Sequence, residues 1–173
     1  MKKTVNAFDY ADHLTQTLNP GFLLNTKADK FNSMVIGWGN IGVIWGLPAV
    51  TVYVRQSRYT KGQIDASGEF TLSLPLEGSL SADVMRVCGS QSGRDVDKEK
   101  LFTLAAPRTN HTPGVLEYPL TLECRVLYAQ DQDLEKIPAE IRKRFYGKGA
   151  DAGDFHTAYI AQIVDAYILG ADD

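Results

Sequence analysis

The chain has 173 residues, of which 44% are hydrophobic and 23% are charged, a composition typical of a folded protein and not of a disordered one. Its 18 Lys and Arg residues against 21 Asp and Glu residues give a net charge of −3, which argues against a nucleic-acid-binding protein. We expect one domain over residues 1–173, and no apolar run is long enough for us to expect a membrane span.

The two cysteines, Cys88 and Cys124, form neither a CxxC motif nor the Cys/His spacing of a zinc site. We interpret them as partly buried thiols in a reducing compartment. The three histidines show no metal-ligand spacing with nearby carboxylates, so no metal site is predicted. The basic start at residues 1–3 is not followed by the apolar segment of a secretory signal, and we therefore expect a cytoplasmic protein.

The first third of the chain predicts a helix followed by glycine-rich strands. The helix covers residues 9–18 and ends at the turn signal Asn19-Pro20-Gly21. A strand is predicted at residues 22–26. Residues 33–57 combine Val, Ile, Trp and Tyr with four glycines, which favours tightly curved strands, and Leu47-Pro48 is expected to separate two of them.

The rest of the chain predicts alternating short helices and strands. The predicted helices cover residues 58–66, a segment starting at 79, 95–104 and 134–145. The predicted strands cover residues 69–74, 120–129 and 155–169. Loops are expected at residues 88–94, 105–114 and 147–153. This pattern is typical of a mainly β protein with short helices, in which a curved antiparallel sheet forms a small barrel.

Two segments in the first half suit a planar, phosphorylated ligand. Residues 32–39 place glycines beside the indole of Trp38, so that a flat ring can approach the backbone, although barrel curvature with a core tryptophan explains the same pattern. Residues 55–60 combine two arginines, two hydroxyls and a helix start, which suits a phosphate or, alternatively, a solvated turn.

Two further segments follow in the second half. Residues 88–95, together with Lys98, offer glycines, hydroxyls and cations for an anion, whereas a plain turn between helices is equally compatible. The spacing of a nucleoside-triphosphate P-loop is absent. His156, at the start of the last strand, is either a core histidine or a proton donor in a pocket. No GxSxG signature of a serine hydrolase is present.

The order of these segments resembles that of the flavin reductase-like family, nearest to its flavoredoxin-like branch. The resemblance is carried by NxMxIGWG at residues 32–39, VYVRxSRYT at 52–60, CGSxSGRDxDK at 88–98 and HxxYI at 156–160. It extends from about residue 19 to residue 167, with the motifs in the expected order. It implies an FMN-binding split β-barrel.

The resemblance also implies a homodimer with one FMN per subunit near the interface, and NADH or NADPH as electron donor. The catalytic residue that it implies is His156, near the reactive face of the flavin. Residues 32–39 are expected beside the isoalloxazine, and residues 57–60 and 90–98 at the ribityl phosphate and ring edge. The full set of implied cofactor-binding residues is Asn32, Ser33, Met34, Val35, Trp38, Gly39, Arg55, Ser57, Arg58, Tyr59, Thr60, Cys88, Gly89, Ser90, Ser92, Gly93, Arg94, Asp95 and Lys98.

Two departures from the family pattern bear on nicotinamide use more than on FMN binding. Phe155 separates Asp154 from His156, where these reductases often have Gly-Asp-His, and Ala161-Gln162 replaces a Gly-Glu pair. The first hypothesis is an NAD(P)H-dependent flavin reductase that passes electrons through FMN to a flavin, a ferric complex or a redox protein. The alternative is a flavoredoxin-type carrier without its own nicotinamide site. A third reading is a split barrel for another planar phosphorylated ligand, such as pyridoxal phosphate or haem.

Overall fold

The computed structural model describes residues 1–149 and 152–171. Its strands are β1 (Lys3–Thr4), β2 (Phe22–Lys27), β3 (Phe31–Ile36), β4 (Gly39–Ile44), β5 (Leu47–Arg55), β6 (Glu69–Leu74), β7 (Leu104–Ala105), β8 (Gly114–Val115), β9 (Leu120–Asp131) and β10 (His156–Ile168). Its helices are α1 (Ala11–Thr17), α2 (Tyr59–Ser67), α3 (Ala82–Ser90) and α4 (Ala139–Tyr146). Short 3-10 turns occupy Ala7–Tyr10, Glu99–Leu101 and Leu134–Lys136.

Eight of these strands form one antiparallel sheet in the order β3-β2-β6-β9-β10-β5-β4, with β1 added beside β10. Strands β3 and β4 end the sheet, so the barrel that it forms is open. The predicted fold class, a mainly β split barrel with short helices, is confirmed. No helix in the described ranges has the length and apolar character needed to cross a bilayer.

Strand β10 is the longest strand of the sheet, and it begins at His156, the predicted catalytic residue. Along one edge it pairs with β5, and along the other it pairs with β9. The pairing with β5 begins at His156, which lies opposite Arg55. The sheet therefore brings the predicted catalytic histidine to the end of β5, where the chain enters α2.

The two larger clusters of the core lie on opposite faces of β2, which is buried on both sides. Phe22 and Leu24 point into the main cluster inside the curved sheet, together with residues of β5, β6, β9 and β10. Leu23, between them, points the other way and packs with Val84 and Cys88 of α3. This second cluster fixes α3 against the outer face of β2 and β3, and so sets the position of the loop that follows α3.

Two predicted segments around α3 differ from the structure. Helix α3 begins after Ser81, whose hydroxyl accepts a hydrogen bond from the Val84 N–H (3.3 Å), and it continues through Ser90. Residues 88–90 are therefore helical and not loop. The helix predicted at residues 95–104 is wrong, since only a 3-10 turn forms there. The Lys98 side chain is directed inward to the Ser33 carbonyl (2.8 Å), which fixes this segment in an irregular path.

The remaining differences concern turns, helix boundaries and short strands. Strands β4 and β5 are separated at Trp45-Gly46, two residues before the predicted position, and both turn residues have positive φ (52° and 73°). The predicted helix 134–145 is two pieces, because α4 starts after Pro138. The predicted helix 9–18 is the 3-10 turn Ala7–Tyr10 followed by α1, and strands β1, β7 and β8 were not predicted. The turn predicted at residues 147–153 lies partly outside the described residues.

The segment predicted as a surface loop at residues 105–114 is fastened to β9 by one buried carboxylate. Glu123 is fully buried and accepts hydrogen bonds from the N–H groups of Arg108 (2.6 Å), Thr109 (2.7 Å) and Asn110 (2.9 Å). The hydroxyls of Thr109 and Tyr167 donate to it as well, each at 2.7 Å. Burial alone raises the pKa of Glu123, but these hydrogen bonds outweigh it and hold the pKa below its ordinary value.

Candidate functional site

A cavity of about 790 Å3 lies between β3, the start of α2, the loop after α3 and the start of β10. Its volume is in the range of cofactor sites. Seventeen of the twenty predicted site residues line it: Asn32, Met34, Val35, Trp38, Arg55, Ser57, Arg58, Tyr59, Thr60, Cys88, Gly89, Ser90, Ser92, Gly93, Arg94, Lys98 and His156.

Three predicted residues do not line the cavity. The Ser33 hydroxyl donates to Asn25 Oδ1 (2.8 Å) of the neighbouring strand β2 and does not reach the cavity. Gly39 lies against the backbone of β5, where a Cβ would be 2.7 Å from the Thr51 carbonyl oxygen. Asp95 belongs to the turn after α3, and its N–H donates to the Ser92 carbonyl (3.0 Å).

Four lining residues were absent from the predicted set. Ile36 and Gly37 belong to the first motif segment, and Gln91 follows the last residue of α3. Tyr53 lies two residues before Arg55 in β5, so both side chains are on the same face of the strand. That period of two is the signal that identifies Tyr53 from the sequence.

One end of the cavity is cationic. Arg58 precedes the first residue of α2 and lines the cavity. The Arg94 guanidinium donates to the Ser57 carbonyl (3.1 Å) and lies 5.3 Å from the centroid of the Tyr59 ring. Two guanidinium groups and a helix N-terminus favour an anion at this end.

A carboxylate already holds part of this anion-binding end. The Ser57 hydroxyl donates to Asp154 Oδ2 (2.6 Å), and the Ser57 N–H donates to Asp154 Oδ1 (3.0 Å). Both Ser57 donors are therefore satisfied by Asp154. A phosphate that binds to Ser57 must displace this carboxylate. Arg58 and Arg94 also line the cavity.

Lys98 forms a buried wall of the cavity. Its side chain is 3% exposed, and its ammonium donates to the Ser33 carbonyl. Burial lowers the pKa of Lys98, partly opposed by the neighbouring Cys88. Burial likewise raises the pKa of the Cys88 thiol, which disfavours its reactive thiolate. The pair contributes to the shape of the wall, and burial favours the neutral form of both side chains.

The loop after α3 closes tightly on β3 and α2. A Cβ at Gly93 would lie 2.1 Å from Asn32 Oδ1 and 2.8 Å from a carbon of the Tyr59 ring. The Asn32 amide donates to the Thr60 hydroxyl (2.8 Å), while its buried Oδ1 has no hydrogen-bond partner in the described structure. An unpaired buried acceptor at the wall of a cavity is costly unless a ligand donor reaches it.

The other end of the cavity is aromatic and carries the histidine. His156 is 7% exposed, and its ring centroid lies 4.7 Å from that of Trp38. Phe145, at the end of α4, packs edge-on against Trp38 (5.1 Å between centroids). Arg55 fastens this region, since it donates to the carbonyls of Phe145 (3.1 Å) and Asp154 (2.8 Å).

This arrangement suits a flat ring with an anionic tail. The cationic end offers charge and hydroxyls, the glycine-rich wall allows close approach, and the aromatic end presents a titratable group. In the part of the chain that the structure describes, no group of three or more His, Cys, Asp or Glu side chains has metal-binding geometry.

Sequence comparison matches residues 23–173 to the flavin reductase like domain. Among curated proteins, no significant sequence match was found.

Solved structures with a similar fold include flavin proteins from archaea and bacteria. A flavoredoxin from Methanosarcina acetivorans is 25% identical, with 86% of this chain and 68% of that chain covered and a TM-score of 0.63. An FMN-binding protein from Thermus thermophilus is 19% identical (86% and 69% covered, TM-score 0.64). The NADH:FAD oxidoreductase of Streptomyces globisporus C-1027 is 15% identical (86% and 75% covered, TM-score 0.63).

Proposed function

Because the chain belongs to the flavin reductase-like family, we propose that it binds FMN in the cavity beside His156 and uses it as a redox group. Bound FMN would supply the redox chemistry, namely hydride uptake from NADH or NADPH and electron transfer to a flavin, a ferric complex or a redox protein. The observation that supports it most is the cavity itself, which joins a cationic end at Arg58 and Arg94 to an aromatic end at Trp38 and His156.

The residues present fit FMN, and each end of the cavity receives a role. Arg58, Arg94 and the hydroxyls of Thr60 and Ser92 would hold the phosphate. The residues of the first motif segment that face the cavity would lie beside the ring, and the unpaired Asn32 Oδ1 offers a buried acceptor. His156 would donate a hydrogen bond or a proton.

The visible spectrum of the purified protein, with NADH and NADPH added in turn without oxygen, tests this proposal. Flavin absorption that bleaches with either nucleotide supports the reductase. If no flavin stays with the protein after FMN is added and unbound FMN is removed by gel filtration, the proposal is refuted, and binding of pyridoxal phosphate or haem instead would support a different planar ligand.

A flavoredoxin-type electron carrier is the second candidate, favoured by β10. Ala161 occupies the position of the expected glycine, and its side chain is fully buried between Val50 of β5 and Val126 of β9. The 25% identity to a flavoredoxin points in the same direction. Flavin that is reduced by dithionite or by a reductase partner, but not by NADH or NADPH, identifies the carrier.

The homodimer and the cytoplasmic location are also part of the proposal. The hairpin between β4 and β5 exposes Val43 (64%) and Trp45 (65%), an apolar tip that suits contact with a second copy. Light scattering coupled to gel filtration measures the assembly, and a monomer at micromolar concentration would contradict the homodimer.

Cell fractionation tests the cytoplasmic location, which the two unpaired cysteines favour.

A further inference from the structure

His156 lies in a chain of hydrogen bonds that joins β10, α4 and the end of β9. Its Nδ1 lies 2.8 Å from the Tyr146 hydroxyl oxygen, which in turn lies 2.9 Å from Gln132 Oε1. The same Gln132 oxygen accepts the backbone N–H of His156 (3.2 Å), and the Gln132 N–H donates to the His156 carbonyl (2.9 Å). Gln132 thus holds both the backbone of His156 and the partner of its ring.

The direction of each hydrogen bond in this chain follows from what the atoms can donate. Because a backbone N–H is always a donor, the Gln132 atom that receives it is the amide oxygen. An amide oxygen only accepts, so the single proton of the Tyr146 hydroxyl is directed to it. The Tyr146 oxygen then has only lone pairs for His156, and the proton between these two residues belongs to Nδ1.

We propose that Tyr146 and Gln132 are positioning residues that keep Nδ1 of His156 protonated, so that the ring gains and loses its proton at Nε2. The functional meaning of this inference rests on the proposed flavin site, since a proton that His156 exchanges with a ligand in the cavity then passes through Nε2.

The surroundings of the three residues keep this arrangement in place. Burial raises the pKa of Tyr146, so its hydroxyl stays protonated and remains a donor at neutral pH. The Arg55 guanidinium lies 5.2 Å from the centroid of the Tyr146 ring and donates to the Phe145 carbonyl. Trp38 covers the His156 ring on one side. The ring of His156 therefore has a fixed orientation as well as a fixed proton.

Nitrogen NMR of the histidine rings tests the inference on the full chain without flavin. The chain contains three histidines, and His156→Gln identifies the signals of His156 by their loss. At pH values where the ring is neutral, we expect a protonated Nδ1 and an unprotonated Nε2. A neutral ring that carries its proton on Nε2 overturns the inference.

Gln132 variants give a sharper test, because they leave Tyr146 in place. In Gln132→Leu the Tyr146 hydroxyl loses its acceptor and turns to donate to Nδ1, so we expect the proton of the neutral ring to move to Nε2. Gln132→Glu keeps an acceptor and should keep the parent pattern. A Gln132→Leu protein that retains the protonated Nδ1 contradicts the role of Gln132.

Tyr146→Phe provides an independent variant in case Gln132→Leu does not fold. It removes the oxygen that accepts from Nδ1, so the protonated Nδ1 should no longer dominate, whereas the exposed Tyr128→Phe should leave the His156 signals unchanged. If the nitrogen signals of His156 are unchanged in Tyr146→Phe, the proposed role of Tyr146 is refuted. Absorbance of the same samples with FMN tests flavin binding separately from the proton position. A protein that has a protonated Nδ1 but binds no flavin refutes the proposed function and leaves the roles of Tyr146 and Gln132 intact.

Discussion

The two arginines at the cationic end come from different parts of the chain. Arg94 donates to the Ser57 carbonyl and stacks on Tyr59, so it is held in place before an anion arrives. Arg58 stands at the N-terminus of α2, where the helix dipole adds to its charge. We therefore propose both side chains as anchors for a phosphate, whereas Ser57 is held by Asp154.

We expect Arg58→Ala and Arg94→Ala each to weaken FMN binding by about 1–3 kcal/mol, because each removes a charge-assisted hydrogen bond. Fluorescence titration of apoprotein with FMN measures the change. Arg125→Ala, at an exposed position of β9, is the matched control and should bind FMN like the parent. Parent-like affinity in both test variants would show that the phosphate lies elsewhere.

Gly93 allows the closest approach around the cavity. We expect Gly93→Ala to destabilise the protein by about 1–3 kcal/mol, because the new methyl group collides with the side chains of Asn32 and Tyr59. The displaced loop should also weaken FMN binding. Gly42→Ala, where a Cβ meets no atom within 4 Å, is the control. Urea unfolding compares the two, and equal stability would contradict the close approach.

Most of the residues that line this cavity could be predicted from the sequence, because they belong to a few motif segments. Motif segments identify stretches of chain, and the stretches at residues 32–39, 55–60 and 88–98 do converge. A motif segment does not show which of its side chains reach the cavity, so Ser33 was included and Tyr53 was missed. Hydrogen bonds between distant residues, such as that from Ser57 to Asp154, carry no local sequence signal.

At the level of elements, the segment between β3 and β4 brings Trp38 to the aromatic end of the cavity, whereas the β4–β5 turn leaves Trp45 exposed. We expect FMN to quench Trp38 and not Trp45. The single-tryptophan variants Trp45→Phe and Trp38→Phe separate the two signals by fluorescence. Unchanged emission of Trp38 on addition of FMN would place the flavin away from Trp38.

Four strands were easier to predict than the helices, because apolar and polar residues alternate along them or both of their faces are buried: β5, β6, β9 and β10. The predicted helix at residues 95–104 failed for a tertiary reason. Its local composition is helical, but the contact from Lys98 to Ser33 sets the path of the chain. Short pairings such as β1 with β10 depend on a partner far away in sequence and are invisible to local patterns.

For the molecule as a whole, Glu123 joins the loop before β8 to the central sheet by accepting four hydrogen bonds from the loop and a fifth from Tyr167 of β10. We expect Glu123→Gln to lower the free energy of unfolding by about 3 kcal/mol at pH 7, because the amide NH2 faces donors that the carboxylate accepted. Urea unfolding measures this loss. Glu77→Gln, at an exposed position, is the control and should be neutral.

The same carboxylate predicts how stability changes with pH. Its pKa is lowered in the folded state, so the unfolded chain binds the proton first as the pH falls. The stabilisation is complete above the ordinary pKa of about 4.3 and is lost as the pH falls through the lower folded value. The stability gap between parent and Glu123→Gln should therefore narrow from pH 5 to about pH 3. A gap independent of pH would contradict the assignment.

Arg55 holds Phe145 on one side and Asp154 on the other, and the Gly153 N–H donates to the Tyr146 carbonyl (2.9 Å). Both ends of the connection from α4 to β10 are thus tied to β5 and to each other. A protease cut between Gly147 and Gly153 would leave two fragments that stay associated, with His156 still in place. The connection is consequently a suitable site for new chain termini in a circular permutant, or for an inserted reporter peptide, without loss of the cavity.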